Sequence, residues 1–204
     1  MNYLHQVDLP NNFSQPKILA IDTETMGLNY NRDKLCMVQV STGDKNAHLV
    51  QVGGKFGYKT PNLNSLLKNK NVLKVFHYAR FDLAMLKKNL GVMPNPVFCT
   101  KIASKLARTY TDRHGLRELC KELLNIEISK QQQSSDWGNT NLSKAQIKYA
   151  ANDVLFLHDI KNKLEEILER ENRLNLAYTI FKFIPVRVKL DLLGWQETDI
   201  FSHS

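Results

Sequence analysis

The 204-residue sequence predicts a single-domain α/β fold, a mixed five-stranded sheet flanked by helices. Three observations lead there. Three β-type runs follow one another near the N-terminus, separated by a polar turn around Asn29 to Asp33 and by the turn residues Thr42-Gly43-Asp44, the pattern of an antiparallel meander. Strand and helix patterns alternate after that, as in βα units. An apolar fraction of 43%, with no internal repeat and no low-complexity linker, suits one hydrophobic core at this length.

Taken in order, residues 17–22 form the first run after Pro16, residues 35–40 the second, and residues 47–52 the third, which Gly53 and Gly54 end. Asn62 is positioned to cap a short helix reaching Lys68. Residues 72–76 read as a fourth strand, and Ala79–Leu90 as a helix stopped by Gly91. Residues 96–99 give a fifth strand, with helices over 101–107 and Leu116–Leu124. The longest helix is expected to begin at Ser143. Ser143 and Gln146 make a Ser-x-x-Gln capping box ahead of a stripe of Ile147, Ala150, Val154, Leu157 and Leu164. From about Ala177 the chain becomes an apolar tail with little helical period, which must bury itself on something.

Lys and Arg number 28 against 20 Asp and Glu, a net charge of +8 that favours a polyanionic partner, nucleic acid being the commonest. Cys36, Cys99 and Cys120 show no CxxC pair and no His at zinc spacing, so they are expected to be core thiols in a reducing compartment. The first residues lack a basic region followed by an apolar stretch, and no apolar run has membrane-spanning length. The expectation is a soluble cytoplasmic protein with no membrane partner.

Three strings carry the chemistry: Asp22-Thr23-Glu24, the Asp82 of His77-Tyr78-Ala79-Arg80-Phe81-Asp82, and Tyr149-Ala150-Ala151-Asn152-Asp153. Asp22 and Glu24, two apart at a strand end, share one sheet face. Asp82 falls in the first turn of a helix, and Tyr149 and Asp153 are four apart on another, hence neighbours. Each string alone has an ordinary structural explanation: a turn acceptor, a helix-dipole partner, the edge of a buried stripe. Gathered together, four carboxylates would repel one another unless divalent cations neutralised them. Two Mg²⁺ or Mn²⁺ ions are the expected cofactors, about 3.5–4 Å apart, for in-line phosphodiester hydrolysis. Tyr149, with an ordinary pKa near 10, would chiefly position the attacking water.

With these residues in place, the chain resembles the tyrosine-bearing branch of the DEDD superfamily of 3′–5′ exonucleases, of ribonuclease D type and specifically its short nanoRNase members. Asp22, Glu24, Asp82 and Asp153 match the four metal-binding acids and Tyr149 the tyrosine. Asp22 to Leu28, Phe98 to Lys105, Thr109 to Leu116, Ser129 to Trp137 and Asp199 to Ser204 extend the likeness over nearly the whole chain. The resemblance implies a ribonuclease H-like fold and hydrolysis of very short 5′-phosphorylated RNA, chiefly dinucleotides, to nucleoside 5′-monophosphates. It also implies a homo-octamer, with a catalytic core over about 15–170 and residues 171–204 as a packing or interface extension. Leu28 matches a leucine that wedges against the terminal bases. Tyr78 departs from the small polar residue common at its position.

Substrate contacts are expected from Leu28, His77, Arg108, Gln132, Gln133 and Ser135, with Arg113, His114, Arg117 and Lys130 as further candidates for a phosphate. Residue chemistry alone leaves open the trimming of longer RNA, a DNA 3′–5′ exonuclease, or a non-catalytic nucleic-acid scaffold. The last would not need all five catalytic positions filled.

Overall fold

The computed structural model describes residues 1–129 and 131–203. Its strands are β1 (Asn2–Gln6), β2 (Ile18–Thr25), β3 (Leu35–Ser41), β4 (Ala47–Gln51), β5 (Leu73–Phe76) and β6 (Val97–Cys99). Its helices are α1 (Pro61–Lys68), α2 (Ala79–Leu90), α3 (Thr100–Ala107), α4 (Leu116–Leu124), α5 (Lys144–Leu155), α6 (Leu157–Arg170) and α7 (Leu174–Leu190).

β2 organises the sheet. Leu19, Ala20 and Ile21 are fully buried in it, and it pairs antiparallel with β3 and parallel with β5. β3 pairs antiparallel with β4, completing the expected meander, and β5 pairs parallel with β6. The sheet is mixed, as the sequence predicts, but it has a sixth strand: the order is β1-β4-β3-β2-β5-β6, with β1 parallel to β4. β1 is mostly exposed and has no apolar alternation, so its strand form comes from the backbone of β4 and leaves no local signal.

Two sequence-predicted punctuators are present. Gly91 ends α2 at φ 71°, the left-handed conformation glycine adopts without a Cβ clash. The Ser143 hydroxyl accepts from Gln146 N, and the Gln146 side chain accepts from Ser143 N, closing the capping box. Three expectations need correction. α1 begins at Pro61 and is capped not by Asn62 but by Asp8, whose carboxylate accepts from Asn62 N at 2.8 Å and Leu63 N at 2.9 Å. The helix after Ser143 breaks at Phe156, so that α5 packs on β1 to β4 while α6 turns its stripe of Leu157, Ile160, Leu164 and Leu168 onto α3, α4 and β5. The longest helix is instead α7, within the stretch read as aperiodic. Ala177, Phe181, Ile184 and Val188 form its buried stripe at helical spacing, obscured in sequence by Phe183 and Val186 on exposed positions. The Phe181 ring packs 4.6 Å from that of Phe98 on β6.

All three cysteines are buried and unpaired. No described helix is long and apolar enough to cross a membrane.

Candidate active site

Alternation along β2 decides where its acids go. Asp22 and Glu24 point to the face covered by α5, and Thr23 points the other way. The pairing register shifts between Glu24 and Thr25, an irregularity that ends the regular ladder where the cleft begins. α5 brings Asp153 to the first two acids: one carboxylate oxygen each of Asp22, Glu24 and Asp153 lies within 4.8 Å of the others. Asp82, in the first turn of α2, is buried and accepts a hydrogen bond of 2.7 Å from the Thr23 hydroxyl. One strand thereby supplies two of the acids and holds a third, Asp82, through the Thr23 hydroxyl.

The cluster is electrostatically strained. Burial, followed by the charges of Asp82, Asp153 and Glu24, drives the Asp22 carboxyl well above its usual range. Glu24 is pushed up to about 9 by burial and by Asp153 and Asp82. Asp82 rises to about 7 through burial, against the Thr23 hydrogen bond that lowers it. Asp153 also rises to about 7 through burial, opposed by a hydrogen bond from Tyr149. Such hard-oxygen donors, crowded and buried, match what divalent cations of the Mg²⁺ class require. Tyr149 is shifted upward by burial and by Asp153, Glu24 and Asp22, so it remains a neutral phenol suited to orienting water rather than removing its proton. Its ring lies 6.0 Å from Trp137.

Sequence reasoning missed Gln39. It is fully buried on β3 opposite Asp22, and its amide nitrogen lies 3.5 Å from Asp22 Oδ2 and 3.4 Å from Glu24 Oε1. One polar side chain inside the otherwise apolar run from Leu35 to Val40 was the available signal. Thr23, inside the first string, is a second such residue, its hydroxyl holding Asp82.

The acids and Tyr149 lie in a cleft of about 570 Å³. Leu28, 81% exposed, His77, Gln133 and Ser135 also line it, as does Arg117. Burial and the nearby Lys101 lower His77 to about 3, so it is neutral. The Thr100 hydroxyl donates to Phe76 O and therefore accepts from His77 Nδ1–H at 2.9 Å, which leaves Nε2 as an acceptor. Gln132 does not line the cleft; its Oε1 accepts from the Ser135 hydroxyl at 2.7 Å. Arg108 is a correction. Its side chain is fully buried away from the cleft, donating to Glu122, the Ser104 hydroxyl and Arg113 O, so it braces the α3–α4 connection and cannot reach a substrate phosphate. His114 Nδ1 contacts the Ser104 hydroxyl in the same network, and Arg113 contributes its backbone carbonyl. Lys130 lies outside the described residues.

A mixed sheet whose central strand meets two helices in a carboxylate cluster defines the class, and the comparisons agree. Residues 7–169 match the DNA_pol_A_exo1 family, described as 3'-5' exonuclease, and the chain belongs to that family. Among solved structures it is similar to Brucella melitensis NrnC bound to pGG, at 56% identity and a TM-score of 0.95, over 99% of this chain and 98% of that one. Brucella melitensis NrnC with bound Mg2+ is similar at 55% identity and a TM-score of 0.94, with the same coverage. Ribonuclease D of Granulibacter bethesdensis is 34% identical over 156 residues, 76% of this chain. The chain spans only 39% of that relative's length. The ribonuclease H-like fold expected from the sequence is therefore the fold observed, apart from the additional strand.

Proposed function

We propose that this chain is a metal-dependent 3′–5′ exoribonuclease that hydrolyses very short 5′-phosphorylated oligonucleotides, chiefly dinucleotides, to nucleoside 5′-monophosphates. The observation that carries the reading is the cluster of Asp22, Glu24 and Asp153 within 4.8 Å, with Asp82 beside it, at the base of one cleft. Two divalent cations, Mg²⁺ or Mn²⁺, held by these four acids would supply charge neutralisation and acidify water for in-line displacement. Tyr149 orients the attacking water, His77 Nε2 accepts a hydrogen bond from the terminal nucleotide, and Leu28 packs against the bases. Gln133, Ser135 and Arg117 sit on the lining where the rest of the substrate passes. The similarity to an NrnC bound to pGG supports the dinucleotide substrate, and the similarity to one with bound Mg2+ supports the cation.

A homo-octamer fits the C-terminal region. Leu193, Trp195, Ile200 and Phe201 are exposed there, an apolar surface that a second copy of the chain would cover. We place the protein in the cytoplasm, in keeping with three free cysteines.

The test is hydrolysis of 5′-phosphorylated RNA and DNA from dinucleotides to long oligomers, with Mg²⁺ or Mn²⁺. Dinucleotides are expected to turn over fastest. Equal rates at every length would favour ribonuclease D-like trimming, and preference for DNA would favour a DNA exonuclease.

Gln39 gives a second check. Its amide donates toward both Asp22 and Glu24 without bringing the positive charge that would compete with a cation, while its buried Oε1 has no partner among the described residues. Gln39→Met is expected to weaken Mg²⁺ binding about tenfold, the lower end for a residue supporting metal ligands. Because it removes an unsatisfied buried acceptor as well as two long donated contacts, the melting temperature should change little. Calorimetric titration showing unchanged Mg²⁺ affinity would remove Gln39 from the site.

A further inference from the structure

The chain leaves β5 and enters α2 through Tyr78 at φ 69° and ψ 48°. Glycine and asparagine take this left-handed conformation readily, whereas for a bulky aromatic it is strained. Burial in the core does not compensate, since Tyr78 is 44% exposed. The residue lines the cleft, where it, Met26 and Leu28 are the exposed large apolar side chains among the described residues. Lys101 places its Nζ 4.4 Å from the ring centroid, a cation–π contact that restrains the ring and adds a positive charge beside it. The strained backbone is tied down by Cys99, whose thiol the Tyr78 N–H reaches, and by Phe81 N, which donates to Tyr78 O, while the ring is left open at the cleft wall, a placement that points to function.

An exposed aromatic face with an adjacent ammonium group is suited to one class of ligand. Nucleobases stack on such a face whatever their identity, and the neighbouring charge suits the phosphodiester. We propose that Tyr78 is a substrate-binding residue whose ring stacks on one base of the bound oligonucleotide, with Lys101 as the residue that positions the ring. The inference rests on the nuclease reading of the cleft and adds a base contact to it. It assigns Tyr78 to binding rather than to the chemical step, so its removal acts on KM.

The experiment is steady-state kinetics with Mg²⁺ on 5′-phosphorylated dinucleotides, intact or lacking one base or the other. Tyr78→Asn, which suits the left-handed backbone, is expected to raise KM about tenfold and to change kcat less than about threefold. The melting temperature should hold, relief of strain offsetting lost ring contacts. Removing the stacked base should raise the parent's KM by a similar factor and leave that of Tyr78→Asn nearly unchanged. Tyr78→Phe, which keeps the ring, should recover most of the affinity. An unchanged KM in Tyr78→Asn, or equal sensitivity of both proteins to base removal, would overturn the inference while leaving the nuclease intact. A parent protein that hydrolyses no dinucleotide would overturn the nuclease reading and this inference together.

Discussion

On the proposed mechanism, Asp153→Asn is expected to lower kcat on a dinucleotide by on the order of 10³-fold or more, because it removes one of the charges that would hold the cations and stabilise the transition state. Asparagine keeps the shape of a helix residue packed beside Tyr149, so the fold should survive. The raised carboxyl pKa values give a second, opposite signature. With folded-state values near 7 for Asp82 and Asp153, each carboxyl stabilises the metal-free protein while protonated, and that contribution is lost as pH rises through about 7. In chelator at pH 8, therefore, the inactive Asp153→Asn should melt no lower than its parent. Tyr149→Phe should lower kcat about 10²-fold with little change in KM if, as proposed, the phenol acts by positioning the attacking water. Undiminished turnover by either variant would remove that residue from the mechanism.

The second large effect lies at the C-terminal end of the fold. Asp191, its side chain fully buried just beyond α7, accepts from Arg80 of α2 at 2.6 and 2.8 Å and pairs with Arg187 at 3.0 Å. Both arginines also donate to Gln196 O, and Arg187 to Trp195 O and Thr198 O, so one carboxylate fastens the terminal segment to the helix that carries Asp82. Asp191→Ala leaves two cations without their partner. The expected loss is about 3 kcal/mol, the low end for severing a buried pair because both guanidinium groups keep some contact with water. For a chain of this size that is a fall of about 6–12 °C in melting temperature. The same variant should shift light-scattering mass toward smaller species if the terminal segment forms the subunit interface. An unchanged melting temperature would show that the segment is held by other contacts.

Local features were legible where a residue acts on its own neighbours. Gly91 and the Ser143–Gln146 capping box mark helix boundaries because their effects span four residues or fewer. Partners distant along the chain were not. Asp8 caps a helix 54 residues away, β1 is a strand because β4 lies beside it, and Gln39 faces Asp22 only because β2 and β3 pair in that register. Arg108 shows the same limit in a charged residue: its type suits a phosphate, but its environment supplies Glu122 instead.

Sequence alone determined which groups the protein has for its chemistry: four carboxylates, one phenol, a positive balance of charge, and the strand and helices that carry them. Tertiary structure alone decided that Asp22, Glu24 and Asp153 meet within 4.8 Å, that burial and those acids push the Tyr149 phenol above its ordinary pKa, that Arg108 is buried, and that Tyr78 is held open to the cleft. The division has one physical reason. A side chain's functional group belongs to the residue, whereas its charge state, its reach and its strain depend on distances and burial imposed by parts of the chain far away in sequence.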